Sequence, residues 1–247
     1  EGIAKEISKN GYSIVFMDSE NDLKTEKKWL EEVKNQHMKG LVLVPVCSEN
    51  KELRSALQEL EAQGTAVVLT EKEVKNAGMD GVFADGFRGA YEGVCRLIEK
   101  GYKKICIAAG QTDHDTAVEE RCRGCLQALE DNGISVAEDM VLREAEDITR
   151  MFQGKKLPDA FFALNETIAD LCVKELFKCK KQGAEKVVFM GMDAESTAKI
   201  LGEEMLSVER DGRKQGKEAA KLLLEAFDTE ENERIRGKRV MIPYKIT

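Results

Sequence analysis

The residues best placed for chemistry are polar ones that stand directly after short apolar runs. They are Asp18, Ser48, Thr70 with Glu71, Asp85, residues 111–115 (Gln-Thr-Asp-His-Asp), Asn165 with Glu166, and Asp193. Most are acids, amides or hydroxyls. Groups of this kind match the vicinal hydroxyls of a neutral polyol, and a site built from them loses binding sharply when a hydroxyl is missing. Asp18, Ser48, Asp85, Asp115, Asn165 and Asp193 are therefore candidate ligand contacts. Each also has a plain local use, because a polar residue between a strand and a helix commonly caps or turns the chain. Asn165 can serve both ends: its side-chain oxygen can accept from a helix while its NH₂ donates to a ligand.

Arg121 is the candidate cation. Val118, Cys122, Cys125, Leu126 and Leu129 form one stripe at 100° per residue. Arg121 falls at the edge of that stripe near the helix start, while Arg123 points the other way. Arg121 either grips two oxygens with its fork or is a surface arginine; residue 117, four back, is alanine and offers no acid. Cys122 and Cys125 lie mid-helix on the apolar stripe, which fits packing rather than a redox or zinc pair. Of the only histidines, His37 and His114, the second has no Cys or His at ligand spacing. His37 is expected packed or half-exposed, and no metal or cofactor is expected. G-x-S-x-G, G-x-x-x-x-G-K-[ST], H-E-x-x-H and a post-strand G-x-G-x-x-G are all missing, so no catalytic residue is assigned and the chain is not read as an enzyme.

These candidates need strand ends to carry them. Apolar strands are expected at 12–18, 40–46, 66–70, 81–85, 104–110, 160–164, 186–193, 205–210 and 238–246. Helices are expected at 24–40, 49–64, 88–101, 117–133, 166–180, 196–202 and 212–227. Short, wholly apolar strands alternating with amphipathic helices imply parallel sheets covered on both faces. So many strands in 247 residues suit two doubly wound sheets better than one. In such sheets ligands bind beyond the carboxyl ends of the strands, where the candidates stand.

Composition narrows the partners. The net charge of −8 repels a phosphate backbone, so direct nucleic-acid contact is not expected. No apolar run approaches the roughly 20 residues that span a bilayer. Seven cysteines, an odd number within apolar patterns, suit free thiols in the cytoplasm.

Several segments, in order, resemble one known family: "NGYSIVFMDSEND", "KGLVLVPV", "TAVVLTEK", "FADGFRGAYEGVCRLIEKGYKKICIAAG", "EERCRGCLQALEDNGI", "PDAFFALNETIA", "VVFMGMD" and "MLSVERDGRKQGKEAAKLLLEAF". Together they resemble the effector-binding domain of the lac-repressor/galactose-repressor (LacI/GalR) family of bacterial transcription regulators. The resemblance implies an α/β fold of the type I periplasmic-binding-protein kind, with two doubly wound, Rossmann-like subdomains joined by three crossovers. It implies a small polar effector, such as a sugar, in a cleft between them. Asp85, Arg121 (with Gly124 in an R-x-x-G motif), Asn165 and Asp193 match the family's ligand contacts, Asp85 from one lobe and the other three from the other. "NE" stands for the family's N-D pair, and "GMD" for its G-[FY]-D. The implied boundaries are 1–102 with 206–232 for one subdomain and 103–205 with 233–247 for the other. The family's first strand and its helix-turn-helix are expected upstream of this chain. A homodimer that meets operator DNA through that absent helix-turn-helix is expected, with no membrane partner. The alternative is an extracytoplasmic solute-binding protein of a transporter or sensor.

Overall fold

The computed structural model describes residues 1–110, 116–154, 156–179, 186–201, 205–230 and 233–247. They form two compact units. The first gathers Glu1–Ala84 and Asp211–Ile242; the second begins at Asp85 and gathers Ala117–Arg210 and Pro243–Thr247.

The first unit is built on β1 (Gly40–Leu43), β2 (Ala66–Thr70), β3 (Asp80–Ala84) and β9 (Arg239–Ile242), in the order β1-β2-β3-β9. Every pairing is parallel. Parallel sheets need cover on both faces, and the period-2 alternation of the strands supplies it. Val67, Leu69 and Phe83 pack against α2 (Leu23–Asn35) and α3 (Lys51–Ala62) through Leu30, Val33, Leu53, Leu57 and Leu60. Ala66, Val68, Val82 and Ile242 pack against α1 (Gly2–Lys9) and α9 (Gly212–Asp228). Helix starts are set by side chains. Asp22 accepts from the Thr25 amide, and Asn50 accepts from the amides of Glu52 and Leu53.

The second unit carries β4 (Ile105–Ala108), β5 (Val141–Leu142), β6 (Ala160–Ala163), β7 (Val188–Met192), β8 (Met205–Glu209) and β10 (Lys245–Ile246). Their order is β10-β8-β7-β6-β4-β5. All pairs are parallel except β10 with β8. One face buries Cys106, Phe161 and Phe189 under α6 (Ala145–Gln153) and α7 (Glu166–Lys178). Phe152, Phe161 and Phe189 stack in series at 4.9 and 5.4 Å. Helix α4 (Gly86–Glu99) packs against β7, β8 and β10. Helix α5 (Thr116–Asp131) buries Cys122, Cys125 and Leu129, and α8 (Glu195–Leu201) follows β7.

Several expectations are corrected. Residues 12–18, mostly apolar, form no strand; Val15 is 63% and Phe16 75% exposed, and no ladder partner among the described residues takes their backbone groups. The strand expected at 238–246 is two strands, split at Pro243, which has no N–H to give to a ladder. The strand expected to open the 206–232 segment is β8, which pairs with β7 in the second sheet. The chain therefore changes unit after Arg210, and again after Ile242, whereas α4 groups with the second unit from Asp85 onward. The helix expected at 24–40 ends at Asn35. His37 lies beyond it, exposed, with a left-handed φ of 50°. The helix α6 and strand β5 carry no expectation from the sequence.

Candidate functional site

At the strand tips of the second unit, Arg121 is the organising side chain. It lies on the first turns of α5 and is buried, 8% exposed, rather than at the edge of the apolar stripe. Its Nη1 donates to the Leu164 carbonyl at 2.6 Å. Its Nη2 donates to Asp193 Oδ2 at 3.0 Å and to the Tyr244 hydroxyl at 2.7 Å. The guanidinium carbon lies 5.7 Å from the Tyr244 ring centroid. The Nε is buried and has no hydrogen-bond partner among the described residues. A buried guanidinium is tolerated only when paired and hydrogen-bonded, and here a carboxylate, a carbonyl and a phenol share the task.

The R-x-x-G spacing has a physical cause. Gly124 stands one turn beyond Arg121 on the same helix face. A Cβ at Gly124 would come within 2.1 Å of the Phe87 carbonyl oxygen. Glycine thus lets α5 meet the first turn of α4 closely. The same approach brings Gly86 against Arg121, where a Cβ would lie 3.0 Å from Arg121 Cγ.

Asp193 follows β7 with φ at 53°, a left-handed conformation that costs energy outside glycine and is found at functional sites. Its amide donates to Val208 O at 2.9 Å. Its Oδ1 accepts from the Arg210 amide at 3.3 Å and lies 3.4 Å from Arg210 Nε. Its Oδ2 accepts from Arg121 and, at 3.3 Å, from the Tyr244 hydroxyl. Burial pushes the Tyr244 phenol up to about 12, against the pull of Arg121. Burial also raises the Glu209 carboxyl, with a donated bond from Ser207 opposing and the Asp193 charge adding to the rise.

Asn165 caps α7: its Oδ1 accepts from the Ile168 amide at 2.9 Å. Its NH₂ makes no hydrogen bond to another described residue. Glu166 accepts from Ser196, and Asp170 accepts from Thr197, which ties α7 to the start of α8. Asp85 caps α4 by accepting from the Arg88 amide at 3.0 Å.

The four candidates Asp85, Arg121, Asn165 and Asp193 thus all belong to the second unit, although Asp85 was expected from the other lobe. Arg121 and Asp193 are paired directly. Asn165 is joined to them through its neighbour Leu164 and Asp85 through its neighbour Gly86. Ser48 and Asp18 belong to the first unit. Ser48 is fully buried. The Asp18 carboxylate accepts from the Glu20 amide at 2.8 Å, and its carbonyl accepts from Trp29 Nε1 at 2.8 Å. Both Asp18 groups thus serve the turn before α2. Asp115 lies outside the described residues. Thr70 accepts from Gln215 Nε2 at 2.8 Å, and that amide also donates to Val82 O at 3.0 Å. Glu26, buried in α2, accepts from the Val46 amide at 2.8 Å, and burial raises its carboxyl.

Sequence reasoning missed Tyr244 and Gln215.

All seven cysteines are free thiols. No helix among the described residues is long and apolar enough to cross a membrane. The family model described as periplasmic binding proteins and sugar binding domain of LacI family matches residues 1–247. The HTH-type transcriptional repressor PurR of Aliivibrio salmonicida is 23% identical over 240 residues, covering 94% of this chain and 71% of that protein. The ribose operon repressor of Bacillus subtilis is 23% identical over 228 residues, covering 90% of this chain and 67% of that protein. A solved LacI family transcriptional regulator from Enterococcus faecium, with bound ribose, superposes with a TM-score of 0.78 at 18% identity, covering 100% of this chain and 89% of that one.

Proposed function

The chain belongs to the family of periplasmic binding proteins and LacI-family sugar-binding domains, and we propose that it senses a small neutral sugar through Arg121, Asn165 and Asp193. It is the effector-binding domain of a transcriptional regulator, as in the related repressors, and not an enzyme.

The observation that carries the sugar reading is the buried Arg121–Asp193 pair at 3.0 Å, set at strand tips beside an amide whose NH₂ makes no bond to another described residue. Such a set offers donors and an acceptor without net charge, which suits hydroxyls rather than an ionised ligand. Two long contacts from Arg210 to Asp193 Oδ1, at 3.3 and 3.4 Å, are the ones a sugar hydroxyl replaces most cheaply. The ribose bound by the Enterococcus faecium regulator and the ribose operon role of the Bacillus subtilis relative support a pentose as first candidate. Asp85, at the start of α4, completes the proposed contact set.

The effector acts by population shift: it favours whichever conformation binds it better, and that preference is transmitted to DNA affinity. Operator contact is assigned to a helix-turn-helix outside these residues, whose net charge of −8 disfavours DNA. A homodimer suits two-fold operators. The cytoplasm is the proposed compartment, supported by seven free thiols, which also weigh against an extracytoplasmic carrier. A thermal-shift screen of D-ribose, D-glucose, cellobiose, adenosine and amino acids tests the reading: stabilisation by a sugar supports it, and stabilisation only by a charged solute overturns it.

A further inference from the structure

Tyr244 is 7% exposed, and its hydroxyl closes a ring of three hydrogen bonds with Arg121 Nη2 and Asp193 Oδ2, at 2.7, 3.3 and 3.0 Å around the ring. Both hydrogens of Arg121 Nη2 are thereby used. The ring of Tyr244 packs on α4 where the helix has no side chain: a Cβ at Gly89 would come within 2.7 Å of Tyr244 Cγ. The chain passes from the first unit to the second between Ile242 and Pro243, so Tyr244 is the second residue after that crossing. It runs directly into β10, where Lys245 pairs with Glu209 and Ile246 with Val208. The Thr247 amide then donates to Ser207 O at 2.8 Å.

From this geometry we propose that Tyr244 couples the Arg121–Asp193 pair to the C-terminal residues 243–247. The physiological meaning of the coupling rests on the effector reading above; the geometry does not. Of the two acceptors on Arg121 Nη2, the neutral phenol is held less strongly than the carboxylate. A ligand oxygen that claims an Nη2 hydrogen therefore displaces the Tyr244 hydroxyl first. Loss of that bond loosens residues 243–247 and leaves the charged pair in place.

The test is a ligand-free cycle on the intact protein, with hydrogen exchange of the Thr247 amide as readout. Four forms are compared: the original, Asp193→Ala, Tyr244→Phe and the double variant. Asp193→Ala is expected to speed exchange at Thr247 about tenfold when Tyr244 is present and less than about twofold in the Tyr244→Phe background. Equal acceleration in both backgrounds overturns the proposal, because the path then runs from Asp193 through Arg210 and β8 instead. No acceleration in either background overturns it as well. If Asp193→Ala does not fold, Arg121→Lys removes Nη2 while keeping the charge, and the same criteria apply. A sugar screen that finds no ligand leaves this cycle intact, so the two readings fail separately.

Discussion

The Cα of Gly124 faces the carbonyl of Phe87 so closely that a Cβ would approach the oxygen to 2.1 Å. The glycine therefore sets how near α5 lies to α4, and with it where Arg121 enters the site. Gly124→Ala forces backbone against backbone. The expected cost is at least about 1–3 kcal/mol of stability, the usual range for overpacking. Urea denaturation checks it, and an unchanged midpoint would show that the helices can part without penalty.

Arg121 and Arg123 provide a matched comparison on one helix. Arg121 is buried among three partners, whereas Arg123 is exposed beside Phe87, 5.8 Å from its ring centroid. Arg121→Ala should abolish most of the thermal stabilisation that the best sugar gives. Arg123→Ala should leave that stabilisation within experimental error. Equal losses would place the ligand elsewhere.

Tyr244 gives a test in pH. Its phenol is held at about 12, above the ordinary 10.0, chiefly by burial. The folded state thus keeps the proton longer than the unfolded chain. Its contribution to stability is complete below pH 10.0 and is lost as the pH rises through about 12. Tyr244→Phe should remove that component, so the gap between the two unfolding curves narrows over this window. A gap independent of pH would show that the hydroxyl does not titrate against the fold.

Glu26 works at the other end of the scale. Burial raises its carboxyl above the ordinary 4.5, despite the bond from the Val46 amide. The folded state again binds the proton more tightly, so stability falls as the pH rises through the raised value. Glu26→Gln keeps an acceptor for the amide and removes the buried charge. The variant should be more stable than the original at neutral pH and should lose less stability as the pH rises above 4.5. A variant less stable at neutral pH would mean that the Glu26 charge is needed.

Much of this arrangement was legible in the sequence, and the reasons differ by residue. The strand-tip positions of Asp193 and Asn165 were legible because a polar residue directly after an apolar strand marks a strand tip in any parallel sheet. The partners of Arg121 were not found, because Leu164, Asp193 and Tyr244 lie 43, 72 and 123 residues away and no local rule joins them. Its depth was misjudged for a related cause: an arginine on an apolar stripe reads as a boundary until its buried partners are known. Residues 12–18 were misread because periodicity reports which side chains are apolar, not whether a neighbouring strand takes their backbone bonds. The split at Pro243 was in plain view, since proline is poorly tolerated inside a strand.

The central claim is that the Arg121–Asp193 pair holds a neutral sugar. Calorimetric titration of D-ribose, or of whichever sugar stabilises best, into the original protein and into Asp193→Ala tests it most directly. The account predicts measurable binding that weakens by about 1.5–3 kcal/mol in the variant, the range for a hydrogen bond to a charged group, with the fold intact by circular dichroism. Unchanged affinity in a folded Asp193→Ala protein would contradict it.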